Sequence, residues 1–420
     1  MRPASFISIS KRLISVLVLL AMVLSGLGFL GRTLAVADGP QKNGPFLRDD
    51  REYDVLFFGS SHMINGVFPM ELWKDYGLTS YNLAGHGASL AASFWELRLA
   101  VQYHKPKVAV LDVLFAGSQT TEMSIGLAHE MLDSYPLSRL KVEAVRDLFE
   151  ESGTRAEMLF PLDVYHSRWK DLDSEMVRRG LLGEKDDSPE KGGQIRAGLY
   201  PLAQEPLVPV TSRREESSIA LTYVEKFVTY CMENDIVPVL TYLPCQISEQ
   251  WQRDCNAALA LGEKLGAKIL NMQYMDLIDY ATDWYDDGSH LNPAGALKTT
   301  ACLGSFLREQ CGLEDHRGDS CDDLWNQDHE SYVNFLKAQM GTLGMADQML
   351  SLAAMEPFRV EAAVSEDFSD TSILRQLEKL GVMPSALETP GMLHLRVLDG
   401  NGTVLNEKTF VQSTVLSEAE

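Results

Sequence analysis

Five short, mostly apolar runs recur along this chain, at Val55–Phe58, Ser80–Leu83, Val108–Leu114, Val237–Leu243 and Lys268–Leu270. Helical patterns separate them, over 89–103, 217–233 and 249–265, and a last one over 292–307 opens with Asn292 as a cap and Pro293 in the first turn. Runs that do not alternate apolar with polar residues belong to strands buried on both faces. Such strands are parallel ones, covered by the helices that connect them. The pattern predicts an α/β fold, a three-layer doubly wound parallel sheet. With 420 residues, 45% of them hydrophobic, the chain has enough apolar surface for one large core or two smaller ones.

Different patterns flank this region. Arg2, Lys11 and Arg12 precede a largely apolar run from Leu13 to Leu30, closed by Arg32. The run is near the lower limit for a bilayer span, about 18 to 20 residues. Positive charges ahead of it stay in the cytoplasm, so the body of the chain is expected outside. Residues 1–37 therefore read as a signal anchor; cleavage after Ala35-Val36-Ala37 is the alternative. Residues 38–50, broken by Gly and Pro, read as a linker, and 51–315 as the main domain. The spacing of that domain breaks over about 118–215, which reads as a helical insertion with a charged stretch at 184–194. Residues 316–420 read as a small C-terminal α/β module: a helix over 328–340, a strand over 358–364, a helix over 371–381, and a hairpin over 393–410 about Asp399-Gly400-Asn401-Gly402.

A net charge of −22 repels phosphate backbones and argues against nucleic acid as a partner. The cysteines, Cys231, Cys245, Cys255, Cys302, Cys311 and Cys321, are even in number and lack zinc-site spacing. Outside a membrane they predict disulfides, Cys245 with Cys255 or two of Cys302, Cys311 and Cys321. Buried thiols are the alternative for Cys231 and Cys302. No metal constellation stands out, and no cofactor is expected.

Two stretches carry chemistry. The first strand-like run ends in Gly59-Ser60-Ser61-His62. In doubly wound folds chemistry gathers at the C-terminal ends of strands, and a serine there needs a base to become a nucleophile. The second stretch, Asp286-Asp287-Gly288-Ser289-His290-Leu291-Asn292, enters the last helix. A carboxylate at Asp287 can orient His290, which then takes the proton of Ser61. Ser60 as nucleophile and Asp286 as orienting acid are the alternatives. His62 in the same turn, and His104, His129, His316, His329 and His394 elsewhere, read as incidental or surface residues.

These blocks resemble the SGNH/GDSL hydrolase superfamily. That family has a catalytic Ser after its first strand, usually in G-D-S, and a D-x-x-H near the end of the domain. The resemblance implies Ser61, Asp287 and His290 as the catalytic residues. It implies Gly85, in Tyr81-Asn82-Leu83-Ala84-Gly85-His86, as an oxyanion donor beside the Ser61 N–H. The family's third block, G-x-N-D, is missing from Val108-Ala109-Val110-Leu111-Asp112-Val113, which leaves His86 or Asn82 to replace one donor. An N-terminal anchor and G-S-S together are similar to a membrane-anchored branch, the lipoteichoic acid D-alanylation and alginate O-acetylation proteins. Val164 to Leu172 resembles a His-x-x-Trp stretch of that branch. His166, Arg168 and Trp169 suit a sugar or acyl site through aromatic stacking and Arg–oxygen contacts, with a structural lid contact as the alternative. His86, between Gly85 and Gly87, is a further candidate substrate contact.

The resemblance implies an extracytoplasmic serine acyl-transfer enzyme that O-acetylates a cell-surface polysaccharide beside a membrane-bound O-acyltransferase. A carbohydrate acetylesterase has the same triad and is the second expectation. A non-catalytic, glycan-binding partner of such an acyltransferase is the third.

Overall fold

A computed structural model describes residues 4–35, 43–160, 162–174, 176–178, 188–201 and 207–414. They form two compact units: one from residues up to Arg48 and from Ala128 to Asp186, the other from Asp49 to Leu127 and from Asp187 onward.

The larger unit holds a five-stranded, all-parallel sheet. Its strands are β1 (Val55–Phe58), β2 (Ser80–Asn82), β3 (Val108–Asp112), β4 (Val237–Tyr242) and β5 (Lys268–Asn271), in the order β2-β1-β3-β4-β5. All five expected runs are strands, within a few residues at their ends. Every residue of β1 and β3 is buried, so both faces of the sheet are covered. The order reverses beside β1, whose neighbours are β2 and β3. An open α/β sheet leaves a crevice at such a point, beyond the strand ends.

Several of the helices start where short polar caps satisfy their first free N–H groups. In chain order they are α1 (Ala4–Ala35), α2 (Gly44–Arg48), α3 (Ser61–Gly66), α4 (Pro69–Tyr76), α5 (Leu90–Ala100), α6 (Ile125–Leu132), α7 (Arg139–Leu148), α8 (Ser152–Leu159), α9 (Leu162–Tyr165), α10 (Ile219–Glu233), α11 (Glu249–Lys264), α12 (Pro293–Cys311), α13 (Asp322–Thr342), α14 (Ala346–Leu352) and α15 (Thr371–Lys379). Ser89 Oγ accepts from Ala92 N at the start of α5, and Ser218 Oγ from Leu221 N at the start of α10, both at 3.1 Å. Asn292 caps α12 as expected: its Oδ1 accepts from Gly295 N at 3.2 Å. Its amide also reaches the carbonyls of Gly198, Thr282 and Trp284, so one buried Asn fixes the approach to α12.

The C-terminal module forms a four-stranded mixed sheet, β7-β6-β8-β9, from β6 (Arg359–Ser365), β7 (Ser385–Leu387), β8 (Met392–Leu398) and β9 (Val404–Val411). The expected strand, helix and hairpin are present; β7 is an addition. The module belongs to the same compact unit as the parallel sheet. Helix α13 packs on both α4 and β9, and Trp73 Nε1 donates to Asn326 Oδ1 at 3.1 Å.

Residues 128–186, which fall within the insertion read over about 118–215, lie in the smaller unit together with the N-terminal helix. The expected linker is partly folded: α2 buries Pro45 and Phe46, and Asn43 Nδ2 donates to Met131 O at 3.0 Å. Residues 36–42 and 179–187 lie outside the described residues. Helix α1 is long and apolar enough to cross a membrane over Lys11–Gly31, as an anchor or as a signal sequence.

The expected disulfides are absent: all six cysteines are thiols. Cys231 on α10, Cys245 in the loop after β4 and Cys255 on α11 are buried, each as a small apolar filler. Cys255 Sγ lies 3.5 Å from the carbonyls of Val113 and Leu114 rather than bonded to Cys245.

Candidate active site

The chain leaves β1 through Gly59, whose φ of +140° lies in the region that favours glycine. A Cβ on Gly59 would stand 2.9 Å from Asp112 Cβ on β3, so the turn into α3 can pass this close only without a side chain. Ser60 then caps α3: its Oγ accepts from His62 N at 3.4 Å. Its hydroxyl is spent on the turn, and Ser60 is buried. Ser61, the first residue of α3, is partly exposed and presents its hydroxyl instead.

The partner arrives from the loop that precedes α12. Trp284 and Leu291 pair as an antiparallel bridge, and Tyr285 N donates to His290 O at 3.0 Å, which closes residues 285–290 into a tight loop. His290 Nε2 lies 2.7 Å from Ser61 Oγ. Its Nδ1 is hydrogen-bonded to Asp286 Oδ2, which makes a Ser–His–Asp relay. Asp286 Oδ1 also accepts from the backbone N–H groups of Ser289 and His290, each at 2.8 Å. The carboxylate thus shapes the loop and orients the imidazole together. Burial by itself would raise the Asp286 carboxyl, but the hydrogen bonds from the His290 ring and backbone outweigh it and hold the group below the usual carboxylate range.

Asp287, the residue expected in this role, does not take it. It is exposed, and its Oδ1 is only 3.4 Å from Ser289 Oγ. The reason is the path of the loop: Gly288 has φ +103°, and Gly288 N donates back to Asp286 O at 2.7 Å. That tight turn directs Asp286 inward and Asp287 to solvent.

The expected oxyanion donors fare unequally. Gly85 N donates to Gly59 O at 3.0 Å, so it is committed to holding two loops together. Asn82, the suggested substitute, is wholly buried; its amide donates to Met63 O and Val67 O, and its Oδ1 accepts from Ala84 N. It too is structural. The Ser61 N–H remains, because the first residue of a helix has no intrahelical acceptor. His86 is half-buried in the adjoining turn before Gly87. His166, Arg168 and Trp169 lie in the smaller unit. There Arg168 Nη1 donates to Leu34 O at 3.1 Å and its guanidinium stacks over Tyr165; the His166 side chain is outside the described residues. His129, expected at the surface, is buried with Nδ1 3.0 Å from Asp133.

Three features escaped sequence reasoning. His62 is not incidental: it is buried, its ring packs edge-on to that of His290 with centroids 5.8 Å apart, and Nδ1 has no hydrogen-bond partner among the described residues. Burial, then the neighbouring His290, pushes its pKa down to about 3, so it stays neutral beside the His290 imidazole. Residues 192–200 run as a strap between the two halves of the site. Gln194 N donates to Ile64 O on α3, Asn65 Nδ2 to Gln194 O, and Tyr200 N to Trp284 O, at 2.9 to 3.0 Å. Among the described residues, no group of His, Cys, Asp and Glu is placed to hold a metal.

The third feature is Asp112, at the end of β3 behind Gly59. Burial pushes its carboxyl up to about 7, against a few backbone N–H groups that lower it, and Oδ2 has no hydrogen-bond partner among the described residues. The folded protein therefore keeps this proton to near neutrality, whereas the unfolded chain releases it near 3.8. The stability this gives is complete below the unfolded value and is lost as pH rises to about 7. Asp112→Asn is expected to gain about 2 to 4 kcal/mol on the parent between pH 4 and pH 8, from about 1.4 kcal/mol per pH unit. Urea unfolding of both proteins at the two pH values measures it; a difference that does not change with pH would refute the assignment.

No protein-family model matches the chain, and no curated protein matches it either.

Proposed function

We propose that this chain is a serine acyl-transfer enzyme, anchored by α1 with its body outside the cytoplasm, that O-acetylates a cell-surface polysaccharide. The observation that carries the reading is the Ser61–His290–Asp286 relay at the sheet's switch point. Ser61 Oγ attacks the acyl carbonyl carbon and gives its proton to His290 Nε2. Asp286 holds the tautomer that leaves Nε2 free to accept, and stabilises the imidazolium that forms. The tetrahedral oxyanion rests against the Ser61 N–H at the start of α3. The intermediate expels its leaving group, which takes the proton from His290, and an acyl-enzyme remains. An acceptor hydroxyl then attacks, deprotonated by His290; the bond from the acyl carbon to Ser61 Oγ breaks, Ser61 Oγ takes the proton back from His290, and the acceptor carries the acyl group away.

Transfer and hydrolysis share this chemistry and differ in whether water or a sugar hydroxyl arrives first. The full chain, given an activated acetyl ester and a series of oligosaccharides, is expected to form more acetylated sugar than free acetate, measured by mass spectrometry. If acetate dominates with every glycan, and acetylated glycans are deacetylated, the protein is an esterase. If neither product forms and a fluorophosphonate fails to label Ser61, the non-catalytic reading replaces both.

A further inference from the structure

Along α1, described side chains from Leu13 to Leu30 are exposed apart from the partly covered Phe29, whereas Gly31, Thr33 and Leu34 are buried, the last two each 1% exposed. The switch falls where the apolar span Lys11–Gly31 ends. A span of 21 residues is about 32 Å long at 1.5 Å per residue, close to the ~30 Å of a hydrocarbon core. The folded part of the smaller unit thus begins at the level where the hydrocarbon ends.

What covers the helix there is α9 and the 3-10 turn His166–Asp171. Arg168 donates to Leu34 O, and Leu34, Tyr165 and Met176 form one apolar cluster. Leu34 is three residues beyond Gly31, about 5 Å along the axis. The headgroup layer of one leaflet is roughly 5 to 8 Å thick. The same segment exposes large apolar side chains: Phe160 at 60%, Trp169 at 62%, Leu172 at 41% and Val164 at 37%. Arg168 and Lys170 stand among them. Aromatic and long cationic side chains together are what the headgroup layer selects, the first for its mixed polarity and the second for its phosphates.

We propose that Phe160 and residues 162–172 form a lipid-contacting collar that lies in the outer headgroup layer around α1, with Trp169 and Phe160 inserted. This rests on α1 remaining as an uncleaved anchor. The collar fixes the height of the smaller unit on the bilayer, and a chain tethered and seated in this way works at the lipid surface rather than at the end of a free leash.

Trp169 is the one tryptophan of six in this unit, which makes it a reporter. The full chain is reconstituted in phosphatidylcholine–phosphatidylglycerol vesicles with lipids brominated near the headgroup or deep in the acyl chain. Shallow bromine is expected to quench about a sixth of the tryptophan emission, one residue of six. Deep bromine should quench less, and Trp169→Phe should abolish the shallow effect. Equal quenching of parent and Trp169→Phe would overturn the collar. Quenching that needs an added membrane protein would overturn lipid as the occupant. Intact mass separates failure of the anchor: a chain starting after Ala37 that does not float with vesicles overturns both readings, whereas an anchored chain with an unquenched Trp169 overturns the collar alone.

Discussion

Ser61→Ala is expected to lower ester turnover by on the order of 10⁴-fold or more, the usual cost of removing a nucleophile whose base and backbone oxyanion donor remain. It should also abolish labelling by a fluorophosphonate. The fold should hold, because the Ser61 hydroxyl contacts His290 at the partly exposed mouth of the site and caps nothing. Ser60→Ala is the matched control. Its hydroxyl accepts from His62 N at the start of α3 and is spent on that turn. Its loss should cost about 1 kcal/mol of stability, as for other N-caps, with turnover close to the parent's. Turnover of an activated acetyl ester, with thermal melts of both variants, separates the two serines. If Ser60→Ala is the inactive one, the turn has been read one residue out of register. If both variants turn over like the parent, the acyl-enzyme is wrong.

What the sequence revealed and what it hid divide along a physical line. The strands were legible because burial on both faces leaves an unmistakable run, as in Val55–Phe58 and Val108–Asp112. The caps were legible because Asn292-Pro293 is a local signal with a local cause. Ser61 and His290 were legible as residue types at the ends of elements that any doubly wound sheet brings to one edge. Which of two adjacent aspartates turns inward was not, since it depends on the φ of Gly288 and on hydrogen bonds inside one loop. Nor was the loss of Gly85 as a donor: only the tertiary approach of β1 and the loop after β2 shows that its N–H meets Gly59 O. Nor was the grouping of residues 128–186 with the N-terminal helix legible, because composition marks an insertion without saying which surface it covers. The cysteines misled because an even count is a compositional argument, and core filling uses the same residue.

The adjacent aspartates supply the sharpest test of the site. Asp286→Asn is expected to lower turnover by on the order of 10³ to 10⁴-fold, as an amide in place of the orienting carboxylate stabilises the wrong tautomer and cannot balance an imidazolium. Asp287→Asn should leave turnover near the parent's, because Asp287 is exposed and does not touch His290. Both variants keep side-chain volume. In Asp286→Asn the amide oxygen can still accept from the backbone N–H groups of Ser289 and His290, so the loop should persist. The pH dependence gives a second readout. The Asp286 carboxyl is held below its ordinary value in the fold, so its contribution to stability is present above the unfolded pKa and is lost as pH falls through the folded one. Acid unfolding of Asp286→Asn should lack that contribution, and acid unfolding of Asp287→Asn should keep it. Equal losses of activity in the two variants, or a loss confined to Asp287→Asn, would mean that the loop adopts another path during turnover and that Asp287 orients the base.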